Sequence, residues 1–336
     1  MKQLFFFGAH KDDAIIKNSS SGGAFTAITD AWFEEYGDSA VVYGCVMDSD
    51  LKAKHVRATD AAGRDLMRGS KYIPSDMKGI YQQISDDLKD GRYVLFSGTP
   101  CQTAAVKSYL DSVKTEAGGR LLTVDFICHG VAEFKFFRDY VDHLEKKYKS
   151  RAVLCSFREK NRLGKLQAMK VVFENGKQFV SPSTGVDWFY TAYYRNLVIR
   201  PVCFDCKFAS VERVSDITLG DYWRKDNVLR WGESLIICNT ENGKACIDKL
   251  ADTMTLCECE FDVKDQPQLC GASKKPENYE AFHKLYTEQG YLTAQKYLGN
   301  NTFKGRVKYS VSYILDKLKL IVILKKIKNK FSTQKQ

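Results

Sequence analysis

The sequence predicts an α/β fold, with a largely parallel or mixed sheet entwined with an α+β portion and an amphipathic helix at the C-terminus. Three observations predict it. Strand-like and helix-like patterns alternate through 18–150. Two of the strands, 94–98 and 121–127, are continuous apolar runs of the kind buried parallel strands display. From Ala152 the texture changes, and Asn175-Gly176 between apolar runs at 168–173 and 177–180 is a hairpin signal. The expected portions are 18–150, 151–300 and a basic C-terminal helix over 304–330.

Taken in order, Leu4 to Phe7 form an apolar patch that lacks the basic segment and cleavage site of a secretory signal. A polar loop at 18–22 opens a helix over 23–36, in which Ala24, Phe25, Ala27, Ile28, Ala31 and Trp32 recur at helical spacing. Short strand-like runs follow at 40–46 and 54–58. Helical patterns at 75–89 and 102–110 flank the strand ending at Gly98, and another over 133–149 follows the strand ending at Cys128. Beyond the hairpin, a helix over 186–196 leads into Cys203-Phe204-Asp205-Cys206. The run from Asp216 to Trp223 reads as a strand ending in a polar-aromatic turn, and 234–237 starts a further strand-helix unit.

A chain of 336 residues with 44% hydrophobic content can bury a sizeable core. The formal charge of +10 is concentrated between Lys304 and Gln336, which hold ten basic residues and the single acid Asp316. The body upstream is therefore nearly neutral, with no global attraction for nucleic acid. In the tail Val307, Val311, Ile314, Leu315, Leu318, Ile321 and Val322 fall at helical spacing, which suits peripheral binding to an anionic membrane surface; no apolar stretch approaches a span. Eleven cysteines without a secretory signal argue against a disulfide framework and for the cytoplasm.

Four cysteines form a candidate metal set: Cys101 and Cys128, each just past an apolar strand, and the pair Cys203 and Cys206. Ligands of open α/β sheets gather outside the carboxyl ends of the strands, so both strand-terminal thiols should share one rim. Four thiolates suit tetrahedral zinc and a [4Fe-4S] cluster alike. Having one local CxxC pair rather than two favours the cluster, and both remain open at this point. Cys45, Cys155, Cys238 and Cys246 read as small buried hydrophobes. Cys257 and Cys259 share one side of a strand with nothing nearby to complete a site, and Cys270 is unassigned.

Taken together, Ser19-Ser20-Ser21-Gly22-Gly23, Gly69-Ser70-Lys71-Tyr72, Gly98-Thr99-Pro100-Cys101-Gln102, Cys128-His129-Gly130, Phe157-Arg158-Glu159-Lys160, Arg200-Pro201 with Cys203 and Cys206, and Asp216 to Trp223 resemble the beta subunit family of coenzyme F420 hydrogenases and dehydrogenases. The resemblance spans about 18–239. It implies an oxidoreductase that holds FAD beside an iron-sulfur cluster, with Cys101, Cys128, Cys203 and Cys206 as cluster ligands.

The local chemistry agrees with a flavin site. Ser20, Ser21, Gly22 and Gly23 open a helix and offer hydroxyls and backbone N–H groups to a pyrophosphate. The Thr99-Pro100 turn offers similar donors, with Gln102 able to bond a flavin edge. Lys71, between Ser70 and Tyr72, is the cation expected near the flavin ring, where negative charge develops on reduction. His129 is expected to donate a proton or bond a cluster sulfur, and Lys160 and Arg158 to contact phosphate or substrate. Family members often carry a ferredoxin-like module ahead of the serine-glycine turn. Here 17 residues precede Asn18, none a cysteine, so a separate ferredoxin or electron-transfer subunit is the expected donor. The small-molecule substrate is not specified: the resemblance allows a deazaflavin coenzyme, a tetrapyrrole or a metabolite of surface-polysaccharide biosynthesis. The competing expectation is a zinc-stabilised interaction module at a membrane, without enzymatic activity.

Overall fold

The computed structural model describes residues 2–160, 168–181, 187–223 and 232–299, with scattered positions from 303 to 315. The chain begins with β1 (Leu4–His10), α1 (Asp13–Lys17), α2 (Ala24–Tyr36), β2 (Ala40–Met47), β3 (Ala53–Ala58), α3 (Ala61–Asp65), β4 (Ser75–Asp76) and α4 (Ile80–Lys89). It continues with β5 (Tyr93–Ser97), α5 (Pro100–Ser112), β6 (Leu121–Phe126), α6 (Phe134–Tyr148), β7 (Ala152–Glu159), β8 (Ala168–Phe173), β9 (Gln178–Val180) and α7 (Trp188–Tyr194). The last elements are β10 (Ile217–Tyr222), β11 (Glu233–Cys238), α8 (Glu241–Ile247), β12 (Met254–Glu258), α9 (Tyr279–Gln289) and α10 (Tyr291–Tyr297).

Among the described residues a nine-stranded mixed sheet, ordered β12-β1-β11-β10-β6-β5-β2-β3-β4, carries the fold, and β7-β8-β9 form a second, antiparallel sheet. The centre of the large sheet is parallel, β2 with β5, β5 with β6 and β6 with β10. Side chains alternate across it with the period of two that a pleated strand imposes. Val42, Leu95, Leu122 and Val124 face a core shared with Ala27, Ile28 and Trp32 of α2. Val41, Tyr43, Val94 and Phe96 face a core shared with Ile84 and Leu88 of α4 and Val106 and Leu110 of α5. A third, aromatic-rich core joins α6, α7, β7, β8 and α9 through Phe136, Phe137, Phe157, Phe189, Tyr193 and Phe282.

The α/β class and the entwining hold: β10, β11 and β12 lie in the same sheet as β2, β5 and β6. Two local readings differ. The apolar patch at 4–7 is β1, held on both sides by antiparallel pairing with β11 and β12. The helix expected over 75–89 begins only at Ile80, because Ser75 and Asp76 pair with Ala53 and Lys54 of β3 and Gly79 turns the chain through a left-handed conformation, φ 78°. The expected C-terminal helix lies mostly outside the described residues. Phe303, Lys304, Val307, Ser310, Val311, Ile314 and Leu315 are helical. Among the described residues no helix is long and apolar enough to cross a membrane.

Candidate functional site at the carboxyl rim of the sheet

The carboxyl ends of β5, β6 and β10 open on one rim, and the sequence-predicted residues collect there. Cys101 stands in the first turn of α5, directly after β5; Cys128 follows β6 by two residues. Cys203 is brought to Cys128 by a short antiparallel bridge between Ala132 and Ile199, with Arg200 N–H donating to Val131 O at 3.0 Å. Gly130, at φ +116°, allows this approach: a Cβ there would sit 2.9 Å from Ile199 Cγ2 and 3.3 Å from Cys203 Cβ. The loop after Cys206 is tied to β6 by Arg213. Its guanidinium donates to Phe208 O, Ser210 O and Phe126 O at 3.1, 3.2 and 3.3 Å and pairs with Asp125 at 3.0 Å, both side chains being buried.

Burial pushes the Cys128 thiol up to about 12, and the neighbouring sulfurs of Cys203, Cys101 and Cys206 add to the shift. The Cys203 thiol is likewise raised, first by burial. The four sulfurs are thus within electrostatic reach of one another. As thiols they are not drawn together: among the described residues no group of three or more side chains is set closely enough to hold a metal ion. The donor set nevertheless fits a thiolate-bound centre. None of the cysteines is in a disulfide, and a positive centre supplies the countercharge that desolvated thiolates need.

The serine-glycine turn lies on the same rim. Gly22 is pinned where only glycine fits, since a Cβ would stand 2.5 Å from Gly8 O and 2.6 Å from Ser234 N. Its N–H donates to Ser234 Oγ at 3.0 Å, and the Ser21 hydroxyl donates to Glu233 O at 2.6 Å. Ser20 Oγ accepts from both the N–H and the hydroxyl of Ser70, at 2.8 and 3.0 Å, so the two predicted loops are joined. Gly23 caps α2 without a side-chain bond, leaving the first-turn N–H groups at the positive end of a 13-residue helix. Lys160 Nζ donates to Ile16 O and to Ser21 O, the latter at 2.8 Å. Burial, then repulsion from Arg158, pushes it down to about 7. Arg158 forms a two-pronged pair with Asp221 at 2.8 and 3.2 Å. Tyr72, two residues after Ser70, packs on Tyr193 at 5.0 Å, and Tyr193 donates to Gly130 O at 2.8 Å. An aromatic bridge therefore connects the serine-glycine turn to the cysteine rim.

Three predicted residues have other partners. Lys71 Nζ donates to Cys45 O, Met67 O and Arg68 O at 2.8, 2.8 and 3.0 Å, which engages all three ammonium donors. Gln102 completes a capping box with Thr99 and donates to Ser75 Oγ at 2.8 Å, so its amide caps α5 behind Pro100. His129 has both ring nitrogens bonded, Nε2 to Asn196 Oδ1 at 2.9 Å and Nδ1 to Gln268 Nε2 at 3.0 Å. Asn196 Nδ2 donates to Lys274 O, which presents Oδ1 to the ring and places the imidazole proton on Nε2. Sequence reasoning missed Arg213, Asp125 and Ser75, for which no local motif exists, and His55, whose Nδ1 lies 3.0 Å from Ser75 Oγ. It also missed His10, whose backbone N–H donates to Gly22 O at 2.7 Å.

Comparison with known proteins bears on this arrangement. No curated protein matches the chain in sequence. In structure it is similar to a chain of the F420-reducing [NiFe] hydrogenase complex from Methanosarcina barkeri, studied there by xenon derivatization. The TM-score is 0.51 at 19% identity, over 88% of this chain and 90% of that one. The similarity extends to the fold. The family described as the C-terminal part of the coenzyme F420 hydrogenase/dehydrogenase beta subunit matches residues 91–264, over half of the chain and including all four predicted cysteine ligands. The chain belongs to the coenzyme F420 hydrogenase/dehydrogenase beta subunit family, a family of oxidoreductase subunits.

Proposed function

We propose that the chain is a cytoplasmic iron-sulfur flavoprotein that takes electrons from a separate ferredoxin or electron-transfer subunit and reduces a small-molecule substrate. The observation that carries this reading is the meeting on one rim of four thiols and a serine-glycine helix start, bridged by Tyr72 and Tyr193. Cys101, Cys128, Cys203 and Cys206 would hold a [4Fe-4S] cluster. Ser20 to Gly23 and the first turn of α2 would hold the pyrophosphate of FAD. Together these groups would supply the conversion between single-electron delivery and two-electron reduction.

The chain's own residues have definite tasks in this reading. The N–H groups of α2 and the Ser20 hydroxyl orient an anion. Lys160, poised near neutrality, takes up a proton when a negative group arrives and so matches its charge. The Arg158–Asp221 pair sets the charge beside Lys160, and the packing of Tyr72 on buried Tyr193 limits water between the two sites. Exchange of electrons with a partner subunit is supported by the fold neighbour, which is part of a multi-subunit complex. A substrate from surface-polysaccharide biosynthesis is supported by the sequence resemblance alone; adjacency to glycosyltransferase genes favours it and adjacency to hydrogenase large subunits opposes it.

Anaerobic purification followed by iron, sulfide, zinc and flavin analysis tests the proposal. About four irons and one flavin per chain are expected. One zinc with no flavin would overturn it in favour of a zinc-stabilised interaction module.

A further inference from the structure

The turn that carries Cys101 contains a hydrogen-bond chain whose direction can be assigned at every link. Thr99 N–H donates to Gln102 Oε1 at 2.9 Å, so the amide atom facing Thr99 is the oxygen. Thr99 Oγ1 lies 3.0 Å from the same oxygen, and only the hydroxyl has a proton to place between them. On its other side Gln102 Nε2 donates to Ser75 Oγ at 2.8 Å, and the Ser75 hydroxyl then donates to His55 Nδ1 at 3.0 Å. His55 Nε2–H donates to Ser97 O at 3.1 Å. The His55 ring is stacked on Phe96 at 5.5 Å and held neutral by burial, as this chain requires. With its single proton given to Gln102, Thr99 Oγ1 accepts from the Cys101 thiol, 3.1 Å away.

A ligating thiolate has no proton to give. Facing it at 3.1 Å, the Thr99 hydroxyl has two acceptors and one proton, while Gln102 Oε1 keeps the Thr99 N–H in either case. We propose that Thr99 is a positioning residue for Cys101: on ligation its hydroxyl turns from Gln102 to the Cys101 sulfur, and Gln102 competes for it. This rests on the reading of Cys101 as a cluster ligand. A hydrogen bond donated to a ligand sulfur stabilises the more reduced, more negative state and raises the potential.

The test is the midpoint potential of the full-length protein, purified anaerobically and titrated by electron paramagnetic resonance, with iron and sulfide measured in every variant. Thr99→Val removes the donor and shifts the potential lower; Thr99→Ser keeps the potential of the parent. Gln102→Met removes the competing acceptor and shifts it higher. Opposite signs in the two variants are the expected result, which loosened packing alone does not produce. If Thr99→Val folds without iron, the upward shift of Gln102→Met decides. A parent chain lacking iron and sulfide overturns the cluster reading and this proposal with it. Full cluster content with unchanged potentials, or shifts of one sign, overturns this proposal alone.

Discussion

Replacing Arg213 with methionine removes the cation that holds the Cys203-Cys206 loop on β6, the strand that leads to Cys128. The pair with Asp125 is 3.0 Å long, and the side chains are 1% and 0% exposed. At 3.0 Å and an effective dielectric of about 20, the attraction is about 5 kcal/mol before desolvation. Breaking a buried pair from one side typically costs about 3–5 kcal/mol, because the remaining charge is left uncompensated. Asp125 Oδ2 has no hydrogen-bond partner besides this ion pair among the described residues, so Arg213→Met belongs in that range. Urea unfolding midpoints of Arg213→Met, Asp125→Asn and the double variant give the coupling. The double variant is expected to be less damaged than the two single effects added. Acid sharpens the test. Burial already raises the Asp125 carboxyl above its usual range, with Arg213 opposing. Without Arg213 the carboxyl rises further; a raised folded value means stability present at low pH and lost as pH rises, so the deficit of Arg213→Met should shrink from pH 7 toward pH 5. A loss below about 1 kcal/mol, or strict additivity, would refute the reasoning.

Three further outcomes are expected. Gly130→Ala places a Cβ 2.9 Å from Ile199 Cγ2 at φ +116°; about 1–3 kcal/mol of stability and a large part of the bound iron should be lost, read by denaturation and metal analysis, and full iron content would contradict the packing argument. Flavin binding to the parent should tighten as pH falls through about 7, because an anion favours the protonated form of Lys160. Lys160→Met should bind more weakly and lose that dependence, and fluorescence titration at several pH values distinguishes the two. The tail exposes Val307, Val311 and Ile314 on helical residues beside its lysines and arginine, so the intact chain should sediment with anionic vesicles in a salt-sensitive way. A form ending at Thr302 should not, and equal binding by both would leave the tail without that role.

The sequence by itself determined the elements whose signal is local. The helix after Gly23 follows from apolar residues recurring every three to four positions, and the strands before Cys101 and Cys128 from continuous apolar runs between turn residues. Because parallel strands in one sheet open at one rim, the spacing of these cysteines already implied a shared site. Tertiary structure alone decided what each polar side chain faces. Nothing near Leu4 announces that it starts an interior strand, since its partners, Cys238 in β11 and the β12 residues from Met254, lie more than two hundred positions away. Lys71, Gln102 and His129 have side chains suited to catalysis, yet their partners include Cys45 O, Ser75 and Asn196, from other segments of the chain. Arg213 and Asp125 look ordinary in sequence and become a buried clamp only when β6 and the cysteine loop are stacked. Helix and strand patterns arise from backbone geometry over a few residues, whereas hydrogen-bond partnership depends on which distant segments the assembled sheet brings within about 3 Å.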